Sequence, residues 1–255
     1  MEILGKNNAT PLTDPRRIWQ KATLVRSYLS ASNVKTLVLK VPNWVKHSPG
    51  QHYDIRLTAP TGYQAERSYS AGSAPEQEGV IELGVELLEK GEVSPYLWKL
   101  KEGGAIEIRG PIGGHFVWNT LMPGPLVLIG GGSGMVPLMS MLRHYDLTDS
   151  SDRKIIFLIS ARSLDRVLYK EELEKLSQKH PNLSVVITLT DEIPEGWAGY
   201  KRRVDKEMLT ELCGPLKDLM PMSYICGPTG FVEAVSKELV SLGFAPHLIR
   251  TERFG

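Results

Sequence analysis

At 255 residues the chain exceeds the length at which single hydrophobic cores stop growing, so two domains are expected. Its 42% apolar and 23% charged residues place it among ordinary globular proteins and exclude a disordered chain. Thirty basic against 29 acidic side chains leave a formal charge of +1, which supplies no field for drawing in nucleic acid or an anionic membrane.

Residues 1–16 are polar, carry two prolines and read as an extended arm. They lack the cationic start and apolar run of a secretion signal. No later stretch is apolar over the length that spans a bilayer, so a cytoplasmic chain without a membrane span is expected. Over residues 17–118 short runs follow one another: "KATLVRSYL", "VKTLVLKV", "HYDIRL", "RSYSAG", "GVIELGVELL" and "GAIEIRG". Several alternate with period two between clusters of Gly, Pro, Asn and Ser, which predicts an antiparallel β-barrel or sandwich. One short helix is expected at "EVSPYLWKL", with Ser94 as its cap and Pro95 in its first turn. "NTLMPGP", residues 119–125, reads as a linker.

Over residues 126–255 apolar strands alternate with segments of helical period: "PLVLIGGG", "GMVPLMSMLRHY", "RKIIFLISA", "DRVLYKEELEKLSQKH", "LSVVITLTD", "MSYICG" and "TGFVEAVSKELVSLG". This rhythm predicts an α/β domain, a parallel sheet with helices on both faces. The last helix would carry Val232, Val235, Leu239 and Leu242 on one side. Two cysteines, Cys213 and Cys226, are too few for a disulfide framework or a four-thiolate cluster. The six histidines show no metal-ligand spacing, so a reduced chain without a metal is expected.

Three stretches carry the chemistry of anion binding. "LVLIGGGSGMVP", 126–137, runs from a strand into a turn of Gly130, Gly131, Gly132, Ser133 and Gly134 and then into a helix. Glycines there let the backbone approach a pyrophosphate, and the helix N-terminus offers free N–H groups. Pro137 replaces the third glycine of the usual dinucleotide fingerprint, and a plain tight turn is the alternative. "YICGPTGF" sets Cys226, Gly227 and Pro228 at a strand end, where ligands bind on parallel sheets; taken alone, a lone cysteine there is more often a small buried hydrophobe. "GEVSPY", with Gly91, Val93 and Ser94, repeats the glycine-then-helix pattern in the first half.

Taken in order, Arg67-Ser68-Tyr69-Ser70, Gly91 and Ser94, Gly110-Pro111-Ile112-Gly113, the Gly130–Gly134 turn with Pro137, Cys226-Gly227-Pro228 and the terminal Glu252-Arg253-Phe254 resemble the ferredoxin–NADP reductase superfamily of flavoenzymes over residues 17–255. The resemblance implies a flavin-binding barrel followed by a nicotinamide-nucleotide domain. It implies Arg67 on the flavin phosphate, Ser68 and Tyr69 lining the flavin site, with the Tyr69 ring on the flavin, and Ser70 toward the flavin nitrogen N5. Gly91, Val93 and Ser94 would hold the flavin pyrophosphate, and Gly131, Gly132, Ser133 and Gly134 that of the nicotinamide nucleotide. Gly227 and Pro228 line the latter site. Cys226 and Glu252 would lie beside the nicotinamide, making Ser70, Cys226 and Glu252 the catalytic set, and Phe254 resembles the aromatic that covers the flavin. Gly255 follows it, whereas plant-type members end on the aromatic.

FAD is the expected cofactor, with FMN the alternative. The coenzyme signs conflict. Asp191, after the third strand of the second half, disfavours a 2′-phosphate and points to NADH. Arg162 and the cluster Lys201, Arg202 and Arg203 would favour NADPH. The implied activity is transfer of electrons from NAD(P)H to a separate protein, a ferredoxin or an oxygenase component. Reduction of a small acceptor, such as a quinone or ferric chelate, and a nucleotide-sensing module without turnover are the alternatives.

Overall fold

Period-two alternation builds the first sheet. In β1 (Gln20–Ala31) Ala22 and Leu24 are fully buried while Lys21 and Val25 are exposed. It joins β2 (Val34–Lys40), β3 (His52–Thr58), β4 (Gln64–Ser70), β5 (Val80–Glu86) and β6 (Ala105–Ile112) in the order β4-β3-β6-β1-β2-β5, all antiparallel. An antiparallel bridge from Ala71, just past β4, to Leu83 in β5 connects the two edges and closes the sheet into a barrel. Leu24, Leu37, Leu39, Ile55, Ile81 and Ile108 fill it, and α1 (Val93–Lys99) adds Val93 and Leu97. The computed structural model describes Arg16, residues 18–149 and residues 151–254. The N-terminal arm, except for Arg16, and Gly255 therefore lie outside the described residues.

The expected cap of α1 is corrected. Glu92 occupies the N-cap position, and Ser94 lies buried inside the first turn. Its hydroxyl accepts from the N–H of Leu88 at 3.0 Å and donates to that residue's carbonyl at 3.4 Å. The Gly91 turn, closed by its N–H on the Leu88 carbonyl at 2.8 Å, brings that backbone over the helix start, and it captures the hydroxyl.

The second sheet holds β7 (Leu126–Gly131), β8 (Ile155–Ala161), β9 (Leu183–Leu189), β10 (Met222–Pro228) and β11 (Ile249–Phe254), all parallel, in the order β11-β10-β7-β8-β9. Its central strands read as unbroken apolar runs because both faces are covered. On one face α2 (Met135–Thr148) and α3 (Lys170–Lys179) supply Leu138, Leu142, Leu173 and Leu176. On the other α4 (Lys206–Cys213) and α5 (Thr229–Ser241) supply Met208, Leu209, Val232, Val235 and Leu239, with Leu242 half-buried beside them. The α/β expectation thus holds, with α4 and β11 added to it.

The two domains share packing. Ala31 and Val34 of the barrel belong to the same buried cluster as Leu138 and Tyr169. α2 presses on the barrel so closely that a Cβ on Gly84 would collide with Cγ2 of Val136. Beside this contact Arg143 donates to both oxygens of Glu172 at 2.7 and 2.6 Å, to Glu82 at 2.8 Å and to the Gly72 carbonyl at 2.7 Å.

Candidate functional site

Because β4 is an edge strand with a single full-length neighbour, its polar residues face outward at low cost. Arg67 is exposed, donates to the Glu66 carbonyl at 2.6 Å and has no carboxylate partner among the described residues. Ser68 donates to Asp54 at 2.7 Å, and Arg109 donates to the other Asp54 oxygen at 2.8 Å. Burial disfavours ionisation of Asp54, yet the Arg109 and Ser68 bonds outweigh it and hold the carboxyl below its usual range. The hydroxyl of Ser68 is therefore committed to positioning Asp54. Tyr69 packs half-buried against the barrel core, and burial pushes its phenol up to about 12.

At the end of β4, Ser70 pairs in register with His52 of β3. His52 reaches across to the second domain, its Nδ1 4.0 Å from Oε1 of Glu252. Glu252 of β11 pairs in register with Cys226 of β10, which pairs in turn with Gly130. Ser70, Cys226 and Glu252 are thus linked through His52 at the domain junction. Burial pushes the Glu252 carboxyl up to about 7, and its Oε2 is buried without a hydrogen-bond partner among the described residues. Burial, and secondarily the neighbouring Glu252, pushes the Cys226 thiol well above its ordinary value. Burial lowers His52, with Asp54 opposing. The His52–Glu252 contact is accordingly a polar contact between groups that resist charge, and not an ion pair.

The glycine turn follows β7 directly. Gly132 has φ +56, and apart from its chain neighbours none of the described residues lies within 4 Å of where its Cβ would stand, so the outer face of the turn is open among them. Gly134 has the opposite constraint: a Cβ there would run into the Cys226 carbonyl oxygen. Gly131 and Gly227 both lie against the ring of Phe231. Among the described residues no side chain caps α2, whose start continues the turn Gly132–Gly134: the N–H of Met135 donates to the Gly132 and Ser133 carbonyls, and Pro137 has no N–H, so any free backbone donors belong to the glycine turn itself. Ser133 donates across the domain boundary to Oε2 of Glu86 at 2.7 Å, and Asn33 donates to Oε1 at 2.9 Å.

The remaining sequence candidates sit at the rims. Gly91 is exposed and Val93 buried beside α1's start. Arg162 follows β8 and Asp191 follows β9, and the N–H of Asp191 donates to the Arg162 carbonyl at 3.0 Å, so the two opposing coenzyme signs are adjacent. Of the basic cluster, Arg202 is bound to Asp205 at 2.5 Å, whereas Lys201 and Arg203 make no ion pair among the described residues. Phe254 ends β11 beside the exposed Pro228 and is itself 37% exposed.

Sequence reasoning misses His52, Asp54, Arg109 and Glu86. The first two carry a readable signal, since in "HYDIRL" they alternate with Tyr53 and Ile55 and so share a face with Ser68 and Ser70. Glu86 carries none, because its partners come from a distant turn and from Asn33.

A family model described as an oxidoreductase FAD-binding domain matches residues 21–118. Another, described as an oxidoreductase NAD-binding domain, matches residues 128–237. The chain is similar to one component of the Na(+)-translocating NADH-quinone reductase of Klebsiella pneumoniae, 34% identical over 203 residues that cover 74% of this chain and 49% of that one. The equivalent component from Haemophilus influenzae is 31% identical over 224 residues, covering 82% and 53%. The chain spans about half the length of these curated relatives. Among solved structures, the FAD/NAD binding domain of a nitric oxide dioxygenase from Vibrio cholerae superposes with a TM-score of 0.81 at 24% identity, covering 92% of this chain and 98% of that one. A ferredoxin NADP+ reductase from Neisseria gonorrhoeae with bound FAD and NADP gives 0.76 at 19% identity, covering 92% and 98%.

Proposed function

The chain belongs to the ferredoxin–NADP reductase superfamily, an FAD-binding barrel joined to an NAD-binding domain, and from that premise we propose that it oxidises NADH and delivers the electrons to a separate redox partner. The observation that carries this reading is the meeting of Ser70, Cys226 and Glu252 through His52 at the junction of the two domains.

The residues fit a flavin nucleotide. Arg67 has a guanidinium fork without a carboxylate partner among the described residues, which suits a phosphate. Tyr69 offers a neutral aromatic face, and half-buried Ser70 a small hydroxyl. Gly91 and the start of α1, with Val93 and Ser94, are assigned to the flavin pyrophosphate. The Ser94 hydroxyl is spent on Leu88, so backbone N–H groups are the donors there. When bound, FAD supplies the redox chemistry, accepting a hydride and releasing electrons singly. The open glycine turn, Gly131 to Gly134, is assigned to the coenzyme pyrophosphate, with Gly227 and Pro228 beside it. Cys226, neutral and buried, would line the nicotinamide site, and Glu252 would hold a proton at the junction near neutral pH. Phe254 is assigned to the flavin-facing edge.

NADH is favoured over NADPH by Asp191 at the end of β9 and by the name of the curated relatives; Arg162 beside it is the rival sign. For the acceptor, the first reading is a one-electron carrier such as a ferredoxin or oxygenase component. Reduction of a quinone is the second, favoured by the relatives being components of NADH-quinone reductases.

The purified protein should be yellow, release FAD, and bleach on anaerobic titration with NADH at a lower concentration than with NADPH. A colourless protein would overturn the reading. Diaphorase assays with ferredoxins and with quinones then separate the two acceptors.

A further inference from the structure

Glu86 stands where a carboxylate is least expected. It closes β5 of the barrel and meets the glycine turn of the other domain, its Oε2 accepting the Ser133 hydroxyl at 2.7 Å and its Oε1 the Asn33 amide at 2.9 Å. Both donors are neutral, and Glu86 makes no ion pair among the described residues, so its charge is uncompensated by contact. Ser133 has a single hydroxyl hydrogen, and that hydrogen is given to Glu86. Any second partner of the Ser133 oxygen must therefore be a donor, which a phosphate oxygen is not.

We propose that Glu86 is an internal competitor of the nicotinamide coenzyme: the coenzyme's pyrophosphate takes the Ser133 hydroxyl from it and lies against its charge. This rests on the reading of Gly131–Gly134 as the pyrophosphate site. Two terms act in the same direction. Binding exchanges one hydrogen bond to a carboxylate for one to a phosphate, gaining little from it. The dianionic pyrophosphate, taking the hydroxyl that Glu86 held, would also have a fixed negative charge next to that hydroxyl, which opposes its binding. The device weakens affinity by design and speeds release of the oxidised coenzyme. Because the bond crosses the domain boundary, each binding event also loosens one link between barrel and α/β domain.

The test uses the flavin-loaded protein and measures dissociation constants for NAD+, ADP-ribose and adenosine by calorimetry, in wild type, Glu86→Gln and Gly132→Ala. Glu86→Gln keeps the shape, removes the charge, and is expected to bind NAD+ and ADP-ribose about tenfold more tightly at low ionic strength. The gain should shrink as salt screens the repulsion, and adenosine, which has no phosphate, should bind unchanged. Gly132→Ala places a methyl on the open face and should weaken both phosphate-bearing ligands. Unchanged or weaker binding in Glu86→Gln while Gly132→Ala still weakens it would overturn the competitor role alone, as would an equal gain for adenosine. Gly132→Ala with unaltered NAD+ affinity would overturn the pyrophosphate assignment and the proposal with it. A purely structural role for Glu86 would give weaker binding and a lower melting temperature.

Discussion

A carboxylic acid that keeps its proton to about pH 7 must influence stability as well as chemistry. Below the ordinary value of 4.5, Glu252 is protonated in the folded and unfolded chain alike, and its burial costs nothing electrostatic. As pH rises past that value the unfolded chain ionises first, and above about 7 the folded chain must carry a buried charge. Stability therefore falls across that window, by about 3 kcal/mol at most. Glu252→Gln should remove the dependence, matching wild type in acid and exceeding it by up to about 3 kcal/mol near pH 8, as read from urea unfolding. Arg67→Ala should weaken flavin binding about 10- to 100-fold through loss of a charge-assisted bond, measured by flavin released on dilution. Cys226→Ala should retain flavin and slow its bleaching by NADH in stopped flow; an unchanged rate would reduce Cys226 to packing. Arg67, in the middle of β4, and Cys226, near the end of β10, can be picked out in the sequence by residue type, and the roles proposed for them are what these variants test. The face that His52 shares with Ser68 and Ser70 is readable in the strand pattern, but its place at the junction is not, since that depends on Glu252, 200 positions away in the chain.

Among the elements, the strands that alternate and the helices with an apolar stripe are the legible ones. β11 is hidden because Arg250, Glu252 and Arg253 break the apolar pattern, an option open to an edge strand that pairs only with β10. α4 is two turns long and gets its start from Asp205, which accepts the N–H of Met208 at 2.9 Å, too short a stretch to show a period. The Ser94 cap fails because a loop backbone competes for the hydroxyl, which no local pattern encodes. The seam between β5 and α2 is equally silent in sequence, where Gly84 reads only as a weak strand residue. Its actual role is clearance for Val136. Gly84→Ala should destabilise the protein by about 1–3 kcal/mol, and Val136→Ala in the same chain should recover part of that loss in a double-mutant cycle read by thermal melting. Strict additivity would show that the two do not touch.

For the molecule as a whole, two domains are legible in the change of rhythm near residue 120, but their mutual dependence is not. Arg143, an ordinary helix arginine in the sequence, ties Glu82 and the Gly72 carbonyl of the barrel to Glu172 of α3, and stacks on Tyr169 at 4.8 Å. Replacing it by Met leaves Glu82 buried without its cation, at a cost of about 3–5 kcal/mol. The melting temperature should drop by about 10 °C while calorimetry still shows one transition, as in wild type. Two separated transitions in the wild type would mean that the domains unfold independently. The shared seam also decides how such a gene can be recombined. A crossover in the linker at 119–125 looks natural, since it divides the chain between its two matched families. Yet it separates Ala31 and Val34 from the cluster they complete, Gly84 from Val136, and Glu82 from Arg143. A hybrid that takes its first half from a homologue is expected to need a small residue at position 84 and an acid at position 82, and one that takes its second half a matching side chain at 136 and a cation at 143, so the unit of inheritance is the pair of surfaces and not the domain.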